Sequence, residues 1–390
     1  MKKLIALLLA LIMVFGLVAC VAKEEAPAAE EEKVEAPAEE KEEAPAEEEA
    51  PAEEEAPAEE EAAPMYIPVM AKGFQHQFWQ AVAAGSQAAA DELGVEIYFD
   101  GPASETEIAA QVDMVKKEMA KGPKALALAA LSTDAVIEIL EECAEKEIPV
   151  VGFDSGVPGD PTGAVVATAC TNNEAAAALA AEKFGEHEGL VEAMKNATAD
   201  APVIIGCLSQ DAVSASVTGR TTGFVNKMVE VASQYGTVSV EGHSLWENKA
   251  DDASIIIRVE VSATTEATAL QTSSAALLAN ENLIAVFCSN EGAVTGFLAA
   301  VSDGEDLAEG GKYDGLVVAG FDAGAAQKNA VRQGWFYGSV TQDPYQIGYQ
   351  AVALAVAAAN GEAVSDVDTG AQWYNAENID DEMIALLVYD

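Results

Sequence analysis

The 390-residue sequence predicts an α/β fold built from two doubly wound, parallel-sheet lobes joined by a hinge. Three observations predict it. Short apolar runs of strand length alternate with longer runs of helical period from Tyr66 onward. The alternation restarts near Val203. And the 326 residues from Met65 exceed what one hydrophobic core usually serves.

Taken in order, Tyr66 to Met70 reads as a strand, and Phe78 to Leu93 as a helix stopped by Gly94. Val95 to Phe99 is a strand, Glu105 to Lys121 a helix ended by Gly122-Pro123, and Ala125 to Ala129 a buried strand. Thr133 to Lys146 is a helix and Val150 to Phe153 a strand. The second series runs Val203 to Leu208 (strand), Thr218 to Tyr235 (helix) and Val238 to Glu241 (strand). Strands at Ile284 to Cys288, Leu316 to Phe321 and Gly338 to Val340 follow, with helices between them. In such sheets ligands bind beyond the carboxyl ends of the strands. Two facing lobes place those ends around one cleft.

The segment before Met65 is of another kind. Met1-Lys2-Lys3 is followed by an apolar run from Leu4 to Val18, too short for a comfortable membrane span. Leu17-Val18-Ala19-Cys20 resembles the lipobox of bacterial lipoproteins. That resemblance implies a signal peptide over 1–19, a lipid on Cys20 and an extracytoplasmic protein anchored to the cell membrane. Residues 23–64 are almost wholly Glu, Ala, Pro and Lys, with 19 Glu against 3 Lys. This composition cannot bury enough apolar surface to offset ordering, so 20–64 reads as the lipidated Cys followed by a disordered tether whose residues 23–64 could reach roughly 130 Å.

The chain carries a formal net charge of −46, and the part beyond the tether −32. That argues against nucleic acid and against anionic lipid surfaces, which need basic patches. Cys143, Cys170, Cys207 and Cys288 have no metal or redox spacing and read as buried free thiols, although Cys207 and Cys288 fall near strand ends that could be neighbours. With no HExxH, G-x-S-x-G or paired-acid motif, and no EF-hand spacing in 303–314, neither an enzyme, a cofactor nor a metal is expected.

The residues at the predicted strand ends carry the functional reading. They are Lys72 to Trp79, Asp154, Asn290 with Glu291, Asp322 and Gln342. Gly-Phe-Asp occurs in both series, at 152–154 and 320–322. Carboxylates and amides there suit hydroxyl groups, and aromatic rings suit the C–H face of a sugar.

With these landmarks, Ser132-Thr133-Asp134-Ala135 and Thr341-Gln342-Asp343-Pro344, the sequence from Tyr66 resembles the type I periplasmic sugar-binding proteins, the ribose-binding-like receptors of ABC importers. The resemblance implies that Phe78 and Trp79 stack on the sugar ring and that His76 stands where an amide usually bonds the ligand. It implies hydroxyl-binding roles for Asp154, Asn290, Asp322 and Gln342, a gripping arginine near Arg220, and a second stacking aromatic at Trp246. It also implies a monomer that delivers a small-molecule sugar to a membrane ABC permease; presentation of a sugar or signal to a sensor kinase is the alternative. The first lobe would comprise 65–171 with 343–370, the second 172–342 with 371–390. Chain crossings near Thr171-Asn172, Gln342-Asp343 and Gly370-Ala371 would form the hinge. Ala129-Ala130 and Ser155 replace polar residues common in the family, and Ile255 to Ser262 reads as an additional strand before a helix over 265–278.

Overall fold

A computed structural model describes residues 64–74 and 76–389. The signal, Cys20 and the tether up to residue 63 lie outside the described residues. The chain runs β1 (Tyr66–Met70), α1 (Phe78–Leu93), β2 (Glu96–Asp100), α2 (Ile108–Met119), β3 (Leu126–Leu128), α3 (Ile137–Glu145), β4 (Val150–Phe153) and β5 (Val165–Cys170). It continues through α4 (Asn173–Glu186), α5 (Glu188–Asn196), β6 (Val203–Ser209), α6 (Ala215–Ala232), β7 (Val238–Glu241), β8 (Ile255–Val261), α7 (Ala267–Leu278) and β9 (Leu283–Cys288). Then come α8 (Glu291–Ala300), β10 (Val317–Phe321), α9 (Ala325–Arg332), β11 (Gly338–Gln342), α10 (Pro344–Ala359), β12 (Val367–Asp368), β13 (Ala371–Tyr374) and α11 (Glu382–Ala385).

Two sheets form among the described residues. One is six-stranded, in the order β12-β5-β4-β3-β1-β2; the other is seven-stranded, in the order β13-β11-β10-β9-β6-β8-β7. All pairings are parallel except β11 with β13, where Val340 faces Trp373. Apolar clusters cover both faces of each sheet, giving the two doubly wound lobes the sequence predicts. The polypeptide passes between the sheets after β5, after β11 and after β12.

Helix pairs build each lobe by close backbone contact. The buried face of α1 carries Val82, Gly85, Ser86 and Ala89 at helical spacing. A Cβ on Gly85 would lie 2.0 Å from the Tyr345 carbonyl oxygen, and one on Gly348 1.9 Å from that of Val82. Only glycines let α1 and α10 approach this closely, and that seats the start of α1 at the sheet's carboxyl edge. Gly94, with φ of 67°, ends α1 by returning its N–H to the Ala90 carbonyl.

The structure amends several sequence expectations. Strand β8 is the additional strand, and it is inserted between β6 and β7, paired with β6 from Val203–Ile255 to Ser209–Val261. Strands β5, β12 and β13 were not expected. The second helix starts at Ile108, leaving Glu105 in the loop ahead of it. Cys207 pairs with Phe287 and Cys288 with Leu208 on adjacent parallel strands. Because side chains alternate faces, the two thiols point to opposite sides of the sheet and cannot form a disulfide. All four cysteines within the described residues are free thiols. No helix among the described residues is long and apolar enough to cross a membrane.

Candidate functional site

The carboxyl edges of the two sheets face each other, and the loops leaving β1, β4, β6, β9, β10 and β11 meet there. Buried Gln111 organises the first-lobe side. Its amide donates to the carbonyls of Ala71 (2.9 Å) and Ala129 (2.8 Å), and its oxygen accepts from the Leu131 N–H (2.9 Å). These three bonds tie the exits of β1 and β3 and so aim Lys72 inward.

Asp154 and Asp322 end the two Gly-Phe-Asp triplets with φ of 51° and 77°, a left-handed backbone that Asp tolerates better than most residues. This turn swings each carboxylate off its strand end; that of Asp154 reaches into the second lobe, while that of Asp322 is held within its own. Both reach one guanidinium: Arg220 NH2 is 3.8 Å from Asp154 Oδ1 and NH1 is 3.5 Å from Asp322 Oδ2. The arginine, whose register was open in the sequence, lies on the buried face of α6. Its Nε donates to Asn173 Oδ1 at 2.8 Å, and its plane stacks on Phe321 at 3.9 Å. Asp322 also accepts from the Glu291 N–H (2.9 Å) and from Gln342 Nε2 (2.8 Å).

A second group lies beside the first. The Lys72 ammonium is 3.2 Å from Asp154 Oδ2 and donates to Ser216 Oγ at 3.2 Å. The first contact is an ion pair without hydrogen-bond geometry, so Asp154 Oδ2 keeps its lone pairs unbonded. Glu105 accepts from Trp79 Nε1 (3.1 Å) in its own lobe and from Gln210 Nε2 (2.8 Å) in the other, with His76 Nε2 at 3.9 Å. Gly292 permits this, since a Cβ there would sit 1.9 Å from Gln210 Oε1.

Burial disfavours the Lys72 ammonium, but Asp154, Glu105 and Asp211 outweigh it and raise its pKa above the ordinary 10.5. Burial likewise disfavours the Glu105 carboxylate. Lys72, His76 and the bonds from Trp79 and Gln210 overcome that and hold its pKa below 4.5. Both groups are therefore charged at neutral pH. Burial dominates for Glu291 and Asp211, whose carboxyl pKa values are pushed up.

The structure brings His76, Phe78, Trp79, Asp154, Arg220, Asn290, Asp322 and Gln342 to this cleft. Phe78 and Trp79 are buried and meet edge to face at 5.0 Å, with Trp79 also against Phe153. Asn290 caps α8, its Oδ1 accepting from the Ala293 N–H at 3.0 Å. Trp246 is not brought there. It packs on the core under its own sheet, and its indole N–H donates to Thr222 Oγ1 at 2.9 Å. The inserted β8 separates the loop carrying Trp246 from β6, which accounts for the distance from the strand exits. Conversely, Glu105 and Gln210 are central although no motif marks them, and Lys72 stood out only as one of a run after the first strand.

Further contacts span the lobes. Ser216 N–H donates to Ser155 Oγ (3.3 Å) and Ala325 N–H to Gln77 Oε1 (2.9 Å), so the cleft is closed. Outside the Glu105–Gln210 pair lies a cavity of about 350 Å³, bordered by Lys72, Leu131, Val213 and Thr264. Gln210 Oε1 and Gln342 Oε1 are buried acceptors without a hydrogen-bond partner. The arrangement is a two-sided cage rich in acceptors, with two cations already neutralised.

Two lobes closing polar strand ends over a shared cleft define a ligand-binding protein. Residues 67–363 match the model of the periplasmic binding protein domain, and the chain belongs to that family, whose members act outside the cytoplasm. It is similar to the D-allose-binding periplasmic protein of Escherichia coli (24% identity over 319 residues, 80% of this chain and 90% of that one). Among solved structures, an ABC transporter, LacI family transcriptional regulator from Brachyspira murdochii is 39% identical, with a TM-score of 0.71 over 84% of this chain and 99% of that one. An ABC transporter solute-binding protein from Agrobacterium vitis with bound D-fucose is 26% identical, with a TM-score of 0.68 over 83% and 100%.

Proposed function

We propose that this protein captures a monosaccharide or similar polyol between its lobes and delivers it to the permease of an ABC importer. The observation that carries the reading is the convergence of Asp154 and Asp322 from opposite lobes, joined by acceptor oxygens of Gln210 and Gln342 that lack hydrogen-bond partners. Such acceptors have value only when hydroxyl donors reach them, since an unmet buried polar atom costs about 1–3 kcal/mol. Phe78 and Trp79 supply apolar cover for a sugar ring. The names of the E. coli and A. vitis relatives, with D-allose and D-fucose, point the same way.

The moving units in this reading are 65–171 with 343–370 and 172–342 with 371–390. Closure about the three crossings would present a surface to the permease only when ligand is held. The Leu17-Val18-Ala19-Cys20 sequence supports tethering by lipid at Cys20; a Cys20→Ser chain that remains membrane-bound without lipid label would overturn this part.

A thermal-shift screen against D-allose, D-fucose, other monosaccharides, polyols and nucleosides tests the function. A ligand at 100 times its dissociation constant stabilises the protein by about 2.7 kcal/mol. No shift with any sugar or polyol would refute the proposal.

A further inference from the structure

The last described residues run into the cleft region. After α11 the chain turns back: Thr341 Oγ1 donates to the Leu387 carbonyl at 2.8 Å, while Ile384 and Val388 pack into the second lobe. Tyr389 then extends across the gap. Its hydroxyl accepts from the Ala323 N–H at 3.3 Å, next to Asp322. Its ring meets Phe78 of the first lobe edge to face, with centroids 6.2 Å apart, and it packs against apolar clusters of both lobes. Tyr374, from the same terminal segment, donates to the Asp322 carbonyl at 2.9 Å. Two tyrosines thus grip the peptide joining Asp322 to Ala323, one on each side.

We propose that Tyr389 is a positioning residue, a clasp that holds the Asp322 turn of its own lobe and engages Phe78 of the other only while the cleft is shut. The tail is fastened to the second lobe through Leu387, Ile384 and Val388, so any rotation that opens the cleft breaks the Phe78 contact and keeps the rest. The clasp therefore favours closure independently of any ligand contact. Burial, with the Asp322 and Glu291 carboxylates nearby, pushes the Tyr389 hydroxyl pKa well up, so it stays un-ionised. The role of the clasp in ligand retention rests on the sugar-binding reading; its effect on closure does not.

Hydrogen–deuterium exchange on the full chain without ligand tests the closure directly. Tyr389→Ala should speed exchange of the amides at the start of α1 and at Ala323 by about tenfold, an edge-to-face pair and one hydrogen bond being lost. The amides of β1 and β9 should be unchanged. Tyr389→Phe keeps the ring and loses the hydroxyl, so Ala323 alone should speed up. Unchanged exchange at both sites in Tyr389→Ala overturns the clasp, as does a uniform rise that includes β1 and β9. In a second arm, D-allose and D-fucose are titrated separately, and Tyr389→Ala should raise the dissociation rate and leave association within about twofold. Failure of the wild-type chain to bind either sugar counts against the ligand-retention role alone and leaves the exchange result standing. Wild-type binding with an unchanged Tyr389→Ala dissociation rate counts against the clasp.

Discussion

Asp322→Asn separates the charge at the centre of the cleft from its shape. Asn is nearly isosteric and tolerates the left-handed backbone at φ of 77°, so the turn survives the change. The carboxylate accepts from the Glu291 N–H at 2.9 Å and from Gln342 Nε2 at 2.8 Å. Hydrogen bonds to a charged group contribute about 1.5–3 kcal/mol each and neutral ones about 1, so neutralisation removes about 1 kcal/mol from each. The amide also sets its NH2 against one of those two donors, and Arg220 retains only Asp154 at 3.8 Å as a counter-charge. Together these lower the unfolding free energy by about 3 kcal/mol, within the 3–5 kcal/mol that breaking a buried ion pair costs. Sugar affinity should fall about ten- to a hundredfold, because one acceptor for a hydroxyl is lost. Urea titration with and without the sugar identified by the thermal-shift screen gives both quantities on the same protein. If Asp322→Asn retains its stability and binds within twofold of the parent, the Arg220–Asp322–Gln342 network does not organise the site.

Trp246→Ala should lower stability by about 2 kcal/mol, since the indole packs on the core and holds Thr222, and should leave sugar affinity within twofold. A large loss of affinity in the folded variant would return Trp246 to the cleft. The Glu105 carboxyl pKa is depressed in the folded protein, so its contribution to stability is present above its ordinary value of 4.5 and is lost as the pH falls through the folded value. Unfolding curves of the parent and Glu105→Gln, taken from pH 6 down to pH 3, should therefore converge only below about pH 4.5. A gap that stays constant over that range would exclude a charged Glu105 held by Lys72.

The fold was largely legible because hydrophobic period and punctuation carry it: Phe78 to Leu93 stops where Gly94 takes the left-handed cap. Strands whose existence depends on partners were not. In β5, Val-Val-Ala-Thr-Ala-Cys is only partly buried, and β12 and β13 are short segments defined by pairing with β5 and β11. At the site, residues at strand ends were legible, since a doubly wound sheet delivers them to one edge. Glu105 was not, because as a polar residue ahead of a helical pattern it reads as part of the helix. Gln210 was not, because no period assigns a loop side chain. The bond between these two residues joins opposite lobes, a relation set by tertiary closure.

The backbone at Asp154 and Asp322 also limits how this cleft can change its preference. With φ of 51° and 77°, each position admits Gly, Asn or Asp readily, while other side chains pay roughly 1–2 kcal/mol for the left-handed turn. New specificities are thus confined by conformation before they are tested by chemistry. Drift toward another ligand is cheapest at Lys72, Glu105 and Gln210, whose side chains reach the cleft from backbone free of that restriction. The paired aspartates would stay as the invariant frame, and the trio beside them would be the adjustable part.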